Sequence, residues 1–336
     1  MSAAKSSDSF LWITEADVAQ LLSIVAAIDA VERALLLEAR GDAQNMLKTH
    51  VGWGDGNGLH AIGAAVPASG FVGTKTWAHT EGGATPLLIL FDAATGALRA
   101  VIEAFVLGQL RTGAVSGVAT RALAAKGAAE LAIIGTGKQM LAQVAAVAAV
   151  RPLQRVRVFS PNAAHRTRAV QCLQESLDVD AMEAPSVRAA VEGAPIVTLA
   201  TRARQPFLTA DMVARGAHIN AIGAITPERA EFADDLFVRC DRVVADSVAA
   251  ARKLSREFID HYDDDEAAWQ RVTPLSTIVA QRARRPAGAD VTLFKAMGMG
   301  IADLALGIEV YERAGRHGVG TPLPAPERVG PELSRR

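Results

Sequence analysis

The feature of this sequence that most constrains its fold is an apolar strand pattern followed at once by glycines. Residues 131–134 (Leu-Ala-Ile-Ile) form a continuous apolar run, and Gly135 and Gly137 follow before an Ala-rich helical segment. Further strand-like runs, most of them separated by helical segments, lie at 156–159, 196–200, 218–222 and 242–245. Strands that alternate with helices build a parallel sheet through right-handed crossovers. Residues 129–305 are therefore predicted to form a doubly wound α/β domain.

The first third of the chain has a different pattern. Residues 14–17 (Thr-Glu-Ala-Asp) resemble a capping box, and the apolar periodicity after them predicts one helix that ends at Arg40. From 46 to 100 short β-like runs alternate with glycines, and residues 92–96 are typical of a hairpin turn. A second helix is predicted over 110–125. This part is expected to be a mostly antiparallel sheet with helical cover.

Composition excludes several classes of protein. The 35 Lys and Arg residues balance 36 Asp and Glu residues, so no nucleic-acid partner is expected. The apolar runs are too short to span a bilayer. The polar residues 1–10 do not contain the apolar h-region that is typical of a signal peptide, and they are expected to be frayed. Cys172 and Cys240 are too few for a disulfide framework or a metal site. We expect a cytoplasmic protein that binds neither membrane nor metal.

The glycine turn predicts a dinucleotide site. Gly135 permits the tight turn that leaves the strand, and Gly137 lets the backbone approach a pyrophosphate at the start of the next helix. Met140 stands where the third glycine of the usual motif would pack helix against strand. The alternative is a plain strand–helix turn.

The end of the second strand of this domain carries no acid that would bond a ribose 2′-hydroxyl. Ser160 and Asn162 stand there instead, and Arg166 supplies positive charge close by. These residues suit a 2′-phosphate, so NADP(H) is favoured over NAD(H). The alternative is that Arg166 only begins a solvated helix.

Two cations stand in otherwise uncharged surroundings. Lys75 lies on a predicted strand and shares a face with Trp77, and Arg111 is expected to begin an apolar helix, where a cation opposes the helix dipole. An anion such as a substrate carboxylate would explain both placements. Taken singly, each residue is also compatible with a structural salt bridge.

A series of short motifs in a fixed order resembles the ornithine cyclodeaminase/mu-crystallin family over roughly residues 14–315. The motifs are Lys75-Thr76, 82–86 (Gly-Gly-Ala-Thr-Pro), 90–92 with 95–96, 110–114 (Leu-Arg-Thr-Gly-Ala), 134–139, 218–224, 244–247 and 292–298.

The resemblance implies an inserted Rossmann domain. Residues 1–128 with a C-terminal return helix in 306–336 would bind substrate and form a homodimer, and residues 129–305 would bind NAD(P). Family members include cyclodeaminases, an alanine dehydrogenase and imine reductases. The resemblance also implies that Lys75 and Arg111 contact the substrate, with Arg111 on its carboxylate.

Coenzyme contacts are expected in the glycine turn and outside the carboxyl ends of the strands. Lys295 is interpreted as either a loop salt bridge or a coenzyme contact, in a segment that delivers the chain back to the first domain. His218 is expected to be a buried, hydrogen-bonded core residue. The remaining candidates are Thr112, Thr136, Gln139, Thr198, Ala200, Ile222 and Gly223.

Two departures from the family pattern bear on function. Lys48 stands where a carboxylate-clamping arginine is usual, which keeps the charge without the two-pronged geometry. Ile225 stands where cyclodeaminases carry an acidic residue, and isoleucine cannot transfer a proton.

The expected activity is therefore NAD(P)H-dependent reduction of 1-pyrroline-2-carboxylate, or of 1-piperideine-2-carboxylate, to L-proline or L-pipecolate. The alternatives are an ornithine cyclodeaminase, an amino-acid dehydrogenase and a non-catalytic NADPH-dependent binding protein. Ring size and physiological direction stay open.

Overall fold

The computed structural model describes residues 9–327 and 329–333. The N-terminal strands are β1 (Ser9–Ile13), β2 (Gln44–Asn45), β3 (Thr49–Trp53), β4 (Asn57–Val66), β5 (Phe71–Thr80), β6 (Gly83–Ala84), β7 (Leu87–Asp92) and β8 (Leu98–Glu103). The helices among them are α1 (Glu15–Leu21), α2 (Ile24–Arg40) and α3 (Phe105–Leu123). The prediction of a frayed start over 1–10 is wrong for Ser9 and Phe10, which belong to β1; residues 1–8 lie outside the described residues.

The second unit alternates strands and helices. Its strands are β9 (Glu130–Ile134), β10 (Arg155–Phe159), β11 (Asp180–Glu183), β12 (Ile196–Leu199), β13 (His218–Ala221), β14 (Cys240–Ala245), β15 (Val272–Pro274) and β16 (Val291–Lys295). Its helices are α4 (Met140–Ala148), α5 (Ala163–Ser176), α6 (Val187–Val191), α7 (Val248–Leu254), α8 (Arg256–Tyr262), α9 (Glu266–Trp269) and α10 (Leu275–Ala280). Helix α11 (Gly300–His317) and strand β17 (Thr321–Pro324) follow.

The two sheets confirm the predicted fold class. The first runs in the order β17-β1-β8-β7-β5-β4-β2, with β3 on β4 and β6 on β5, and among its pairs only β1 with β8 is parallel. The second runs in the order β11-β10-β9-β12-β13-β16-β14-β15, and all of its pairs are parallel. The order on either side of β9 is that of a doubly wound sheet, so the glycine turn lies at the topological switch point.

The segment that was expected to return the chain to the first domain does so, since residues 296–299 lead into α11 on the first sheet, but it begins as a central strand. Residues 291–295 form β16, which lies between β13 and β14 and is buried throughout. Val291, Thr292 and Phe294 are residue types that favour strands, so the local composition already indicated a strand, and the pairing with β13 and β14 gives it its central position.

The helix predicted up to Arg40 is divided in two. Thr14 and Asp17 form the capping box of α1, as predicted, but Leu22 adopts an extended conformation and Ser23 accepts a hydrogen bond from the backbone N–H of Ala26 to start α2. Leu22 is itself buried at the break, so the division lets the apolar stripes of the two helices pack in different directions.

Helix α3 begins at Phe105, five residues before the predicted start, which corrects the position of Arg111 as well. The carboxylate of Glu15 accepts hydrogen bonds from the backbone N–H groups of Phe105 (2.5 Å) and Val106 (2.9 Å) and so caps α3 from a distance in sequence. Arg111 therefore lies in the second turn, where the helix dipole acts weakly. The dipole argument for an anion near Arg111 is wrong.

Helix α11 returns from the second unit and lies on the first sheet, against β4, β5 and β7. Glycines allow this close approach: a Cβ on Gly300 would lie 1.9 Å from the carbonyl oxygen of Gly63, and one on Gly307 would lie 2.1 Å from a methyl of Leu88. The boundary predicted between 305 and 306 falls inside this helix. The approach brings Asp303, in the first turn of α11, onto β5.

Candidate active site

A buried ion pair lies where α11 meets β5. The ammonium of Lys75 donates a hydrogen bond to Oδ1 of Asp303, and the two residues are only 4% and 1% exposed. Arg111 Nε, from α3, lies 3.4 Å from the same oxygen, at ion-pair distance without hydrogen-bond geometry. The second carboxylate oxygen, Oδ2 of Asp303, is buried and has no hydrogen-bond partner among the described residues. The structure thus brings together the two cations that the sequence singled out.

Lys48 joins this cluster from the segment between β2 and β3. Its pKa is lowered by burial and by the neighbouring Arg111, an effect that Asp303 opposes. Its Nζ lies 6.0 Å from the ring centroid of Trp77, and Nζ of Lys75 lies 5.3 Å from the same ring. Three cations around one carboxylate leave an excess of positive charge, which is the electrostatic requirement for an anion site.

Burial lowers the pKa of Lys75 from 10.5 to about 8, an effect that Asp303 opposes and that Arg111 and Lys48 reinforce. A lysine with such a pKa is ionised at neutral pH and releases its proton readily. The side chain is therefore suited to hold an anion and to donate a proton at the same site.

The loop after β16 packs against Arg111. The backbone N–H groups of Met297 and Gly298 donate to the carboxylate of buried Asp246, each at 2.8 Å. Gly298 has a φ of 93°, and a Cβ there would lie 3.4 Å from Nη1 of Arg111. Asp246 thus holds this loop in place, and the absence of a side chain at Gly298 leaves room for the guanidinium of Arg111.

The glycine turn fits a dinucleotide. Gly135 has a φ of 113°, and a Cβ there would lie 2.4 Å from the carbonyl oxygen of Ala200, so only glycine fits. A Cβ on Gly137 would meet no atom within 4 Å, which leaves open space beside the start of α4. Gln139 Oε1 and Thr198 Oγ1 are buried polar atoms without a hydrogen-bond partner among the described residues, and a bound ligand would satisfy them.

The other predicted coenzyme residues lie in three places. Met140 begins α4, Ala200 follows β12 and pairs with Ile134, and Ile222 and Gly223 follow β13, all at the carboxyl edge of the sheet. The hydroxyl of Thr112 instead donates to the carbonyl oxygen of Gly108 within α3. Thr136 lies in the turn itself.

Lys295 forms the salt bridge that was one of its two interpretations. Its side chain has no exposed surface, and its Nζ lies 3.1 and 3.2 Å from the two carboxylate oxygens of Glu257. The backbone N–H of the adjoining Glu231 donates to Glu257, and the Glu231 carboxylate accepts from the N–H groups of Thr201 and Gly223. This buried network ties the loops after β12 and β13 together, so Lys295 stabilises the carboxyl edge of the second sheet.

At the end of β10 the predicted phosphate ligands are engaged within the protein. The side-chain oxygen of Asn162 accepts a hydrogen bond from the backbone N–H of His165 and caps α5. Arg166 donates to the carbonyl oxygen of Ser160 (2.7 Å) and to Glu183 (3.1 Å).

His218 is the buried core residue that the sequence predicted. Its ring nitrogens lie 3.0 Å from Oγ1 of Thr292 and 3.1 Å from the side-chain oxygen of Asn220. Burial lowers its pKa to about 3, so it stays neutral and has no acid–base role at neutral pH.

Sequence reasoning missed Asp303, which is central to the cluster. It is the single charge in the apolar first turns of α11 (Gly-Ile-Ala-Asp-Leu-Ala-Leu), the same signal that singled out Lys75 and Arg111. It also missed Lys138 in the glycine turn, whose pKa is lowered by burial and by the nearby Arg202 and Arg111.

Over the described part of the chain, no cluster of three metal-ligating side chains occurs. None of the described helices has the length and apolar character needed to cross a membrane.

A parallel sheet with a glycine turn at its switch point, facing a cluster of cations, defines the class of Rossmann-type oxidoreductases. Residues 11–318 match the model of the ornithine cyclodeaminase/mu-crystallin family. The chain belongs to that family, as its motifs suggested.

Individual relatives agree with this assignment. The chain is 30% identical over 274 residues to a Delta(1)-pyrroline-2-carboxylate reductase of Bacillus cereus, with 78% of this chain and 80% of the relative covered. The Thermococcus litoralis Delta(1)-pyrroline-2-carboxylate reductase in complex with NADH and L-proline superposes with a TM-score of 0.88 at 28% identity, covering 93% of this chain and 99% of that one. An archaeal alanine dehydrogenase dimer with bound NAD has a TM-score of 0.86 at 27% identity, covering 94% and 99%.

Proposed function

We propose that this protein reduces a cyclic imino acid, 1-pyrroline-2-carboxylate or 1-piperideine-2-carboxylate, to L-proline or L-pipecolate with NADH or NADPH. The observation that carries the proposal is the buried Lys75–Asp303 pair with Arg111 beside it, which combines an anion site with a proton donor. The relatives named as pyrroline-2-carboxylate reductases support it.

Different residues bind the substrate and transfer the proton. Arg111 and Lys48 bind the substrate carboxylate, and a guanidinium can do so through two parallel hydrogen bonds. Lys75 supplies a proton to the imine nitrogen, directly or through a water, and Asp303 keeps the ammonium ionised and aimed. The nicotinamide coenzyme supplies, when bound, the hydride that the imine carbon accepts. Hydride on carbon and proton on nitrogen complete the reduction.

Residue 225 argues against the cyclodeaminase alternative. Ile225 packs against the core of the second sheet, where cyclodeaminases of the family are expected to carry an acid. The nearby Glu231 is fully buried and accepts hydrogen bonds from backbone N–H groups, so its carboxylate is committed to the loops. Imine reduction requires no acid at position 225.

An assay with three substrates separates the candidates. Loss of reduced-coenzyme absorbance with 1-pyrroline-2-carboxylate or its six-membered analogue supports the reductase. Ammonia release from L-ornithine with no net coenzyme consumption supports a cyclodeaminase, and NAD reduction by an L-amino acid supports a dehydrogenase. Coenzyme binding with none of these activities supports a binding protein.

We also propose that the protein is a homodimer formed through the outer face of the first sheet. Directly opposed residues share a face, so Val51 and Leu59 lie on the side opposite Lys75 and its partner Ile62. Val51 is 60% exposed and Leu59 47% exposed, and Trp53 on the same face is 46% exposed. An apolar sheet face of this kind is unusual on a monomer.

Light scattering tests the assembly. The wild type is expected to have twice the mass of the 35.2 kDa chain, and Val51→Glu together with Leu59→Glu should convert it to a monomer. A monomeric wild type would contradict the proposal. The exposed Val238, which lies in the second unit, provides the control substitution Val238→Glu.

A further inference from the structure

The ion pair between Arg166 and Glu183 lies at the position where the adenosine ribose of a coenzyme would bind and be distinguished from its 2′-phosphorylated form. In a doubly wound sheet, this ribose lies beyond the carboxyl end of the second strand of the domain, which follows the glycine turn and its helix in the sequence. That strand is β10, and Ser160 follows it directly. Residues 160–162 provide a serine, a proline and an asparagine, none of which is charged.

Arg166 reaches back over this position and is held in place. Its Nη1 donates to the carbonyl oxygen of Ser160 at 2.7 Å, its Nε donates to Oε2 of Glu183 at 3.1 Å, and its guanidinium lies 6.0 Å from the ring centroid of Phe159. Its side chain is only 17% exposed. The arginine is therefore not a free surface cation.

The side chain of Glu183 is also held in place by hydrogen bonds. It ends β11, which pairs with β10 so that Glu183 lies opposite Val158. Its other oxygen, Oε1, accepts a hydrogen bond from the hydroxyl of Thr167 at 2.7 Å. These bonds from Thr167 and Arg166 lower the pKa of Glu183, so the carboxylate is ionised at neutral pH.

We infer that Glu183 determines coenzyme choice: by holding and neutralising Arg166, it favours NAD(H) over NADP(H). The neighbouring strand β11 thus supplies the carboxylate that the end of β10 lacks. A 2′-phosphate would bring up to two negative charges toward this carboxylate, whereas an unmodified ribose would not. This inference reverses the preference that the sequence alone suggested, because the sequence does not show that Arg166 is paired.

The inference rests on the proposed function only in requiring that a nicotinamide coenzyme binds. It is tested by titrating NADH and NADPH into the full-length protein and following the fluorescence of the bound reduced nicotinamide, with no imino acid present. The variant is Glu183→Gln, which keeps the size of the side chain and its hydrogen bond to Thr167. The control is Glu175→Gln, on the same helix as Arg166, where the carboxylate accepts a hydrogen bond from the side chain of Gln171.

Wild type is expected to bind NADH more tightly than NADPH. Glu183→Gln should tighten NADPH binding by about tenfold, because a phosphate at this position would no longer approach a carboxylate and would meet an unneutralised Arg166, and should change NADH binding by less than about twofold. The double variant with Arg166→Gln should lose the gain, and Glu175→Gln should leave the ratio unchanged.

Three results would overturn the inference alone: a wild type that prefers NADPH, a ratio that Glu183→Gln does not change, or a gain that survives loss of Arg166. Binding with the expected shift but without imine reduction would overturn the proposed function and leave this inference standing. Binding of neither coenzyme would overturn both.

Discussion

Lys75 and Asp303 are 228 positions apart in the sequence and form one buried ion pair, the contact that joins the first sheet to the returning helix α11. Neither charge has appreciable contact with solvent, so each depends on the other for stabilisation. The same pair provides both the proton donor and its counter-charge in the proposed reaction.

Replacing Asp303 by Asn is expected to destabilise the fold and the reaction together. The substitution leaves the Lys75 ammonium buried without its counter-ion, which costs about 3–5 kcal/mol in free energy of unfolding. Urea unfolding measures this loss, and Glu312→Gln, at an exposed position of the same helix, is the control. A stability equal to the wild type would show that the pair is not needed for folding.

The pH dependence of reduction should report the Lys75 ammonium. Its pKa of about 8 predicts that kcat/KM falls by about tenfold per pH unit above pH 8, as the proton donor is lost. In Asp303→Asn the decline should begin at lower pH, because the carboxylate that opposes the shift is gone. Since both proteins use the same substrate, its own ionisation cancels in the comparison, and identical profiles would exclude Lys75 as the donor.

The same titration makes a prediction about stability, with a definite sign. Between about pH 8 and 10.5, the folded protein has a neutral Lys75 while the unfolded chain keeps it charged, so the unfolded state binds more protons. The contribution of this group to the free energy of unfolding therefore rises with pH across that window. Lys75→Met should lack this rise, which urea titrations at several pH values would measure against the wild type.

Lys75→Met should also abolish most of the turnover while keeping the coenzyme site. Loss of a positioned proton donor lowers kcat by about 10²–10⁴-fold. Coenzyme binding, followed by fluorescence, should persist because the glycine turn lies on the other sheet. Lys126→Met, at an exposed position, is the matched control, and a Lys75→Met enzyme with wild-type kcat would contradict the assigned role.

The two glycines of the turn should respond differently to alanine. Gly135→Ala places a Cβ against the carbonyl oxygen of Ala200 at a positive φ and should cost about 2 kcal/mol or more in stability. Gly137→Ala meets open space and should leave stability unchanged while weakening coenzyme binding. Thermal unfolding with and without NADH measures both effects, and equal behaviour of the two variants would contradict the account of the turn.

The sequence predicted the fold where local pattern decides it and failed where distant partners decide it. The glycine turn, the hairpin at 92–96 and most strands of the second sheet were found from short-range periodicity. The start of α3 was missed because its cap is Glu15, and the central place of β16 in the second sheet depends on its pairing with β13 and β14.

The same distinction applies to the candidate site, where the sequence shows the charged residues but not their partners. Lys75 and Arg111 were found as isolated charges, but their shared partner Asp303 lies far away in sequence. Arg166 was identified as a cation, yet its pairing with Glu183 depends on two strands lying side by side. Charge is visible in a sequence, whereas its compensation is a property of the fold.

The central claim is tested most directly by product analysis of the reaction with 1-pyrroline-2-carboxylate and NADH or NADPH. We expect one L-proline to form for each reduced coenzyme oxidised, with Lys126→Met as active as the wild type and Lys75→Met nearly inactive. Coenzyme binding without oxidation by either the five-membered or the six-membered imino acid would contradict the account.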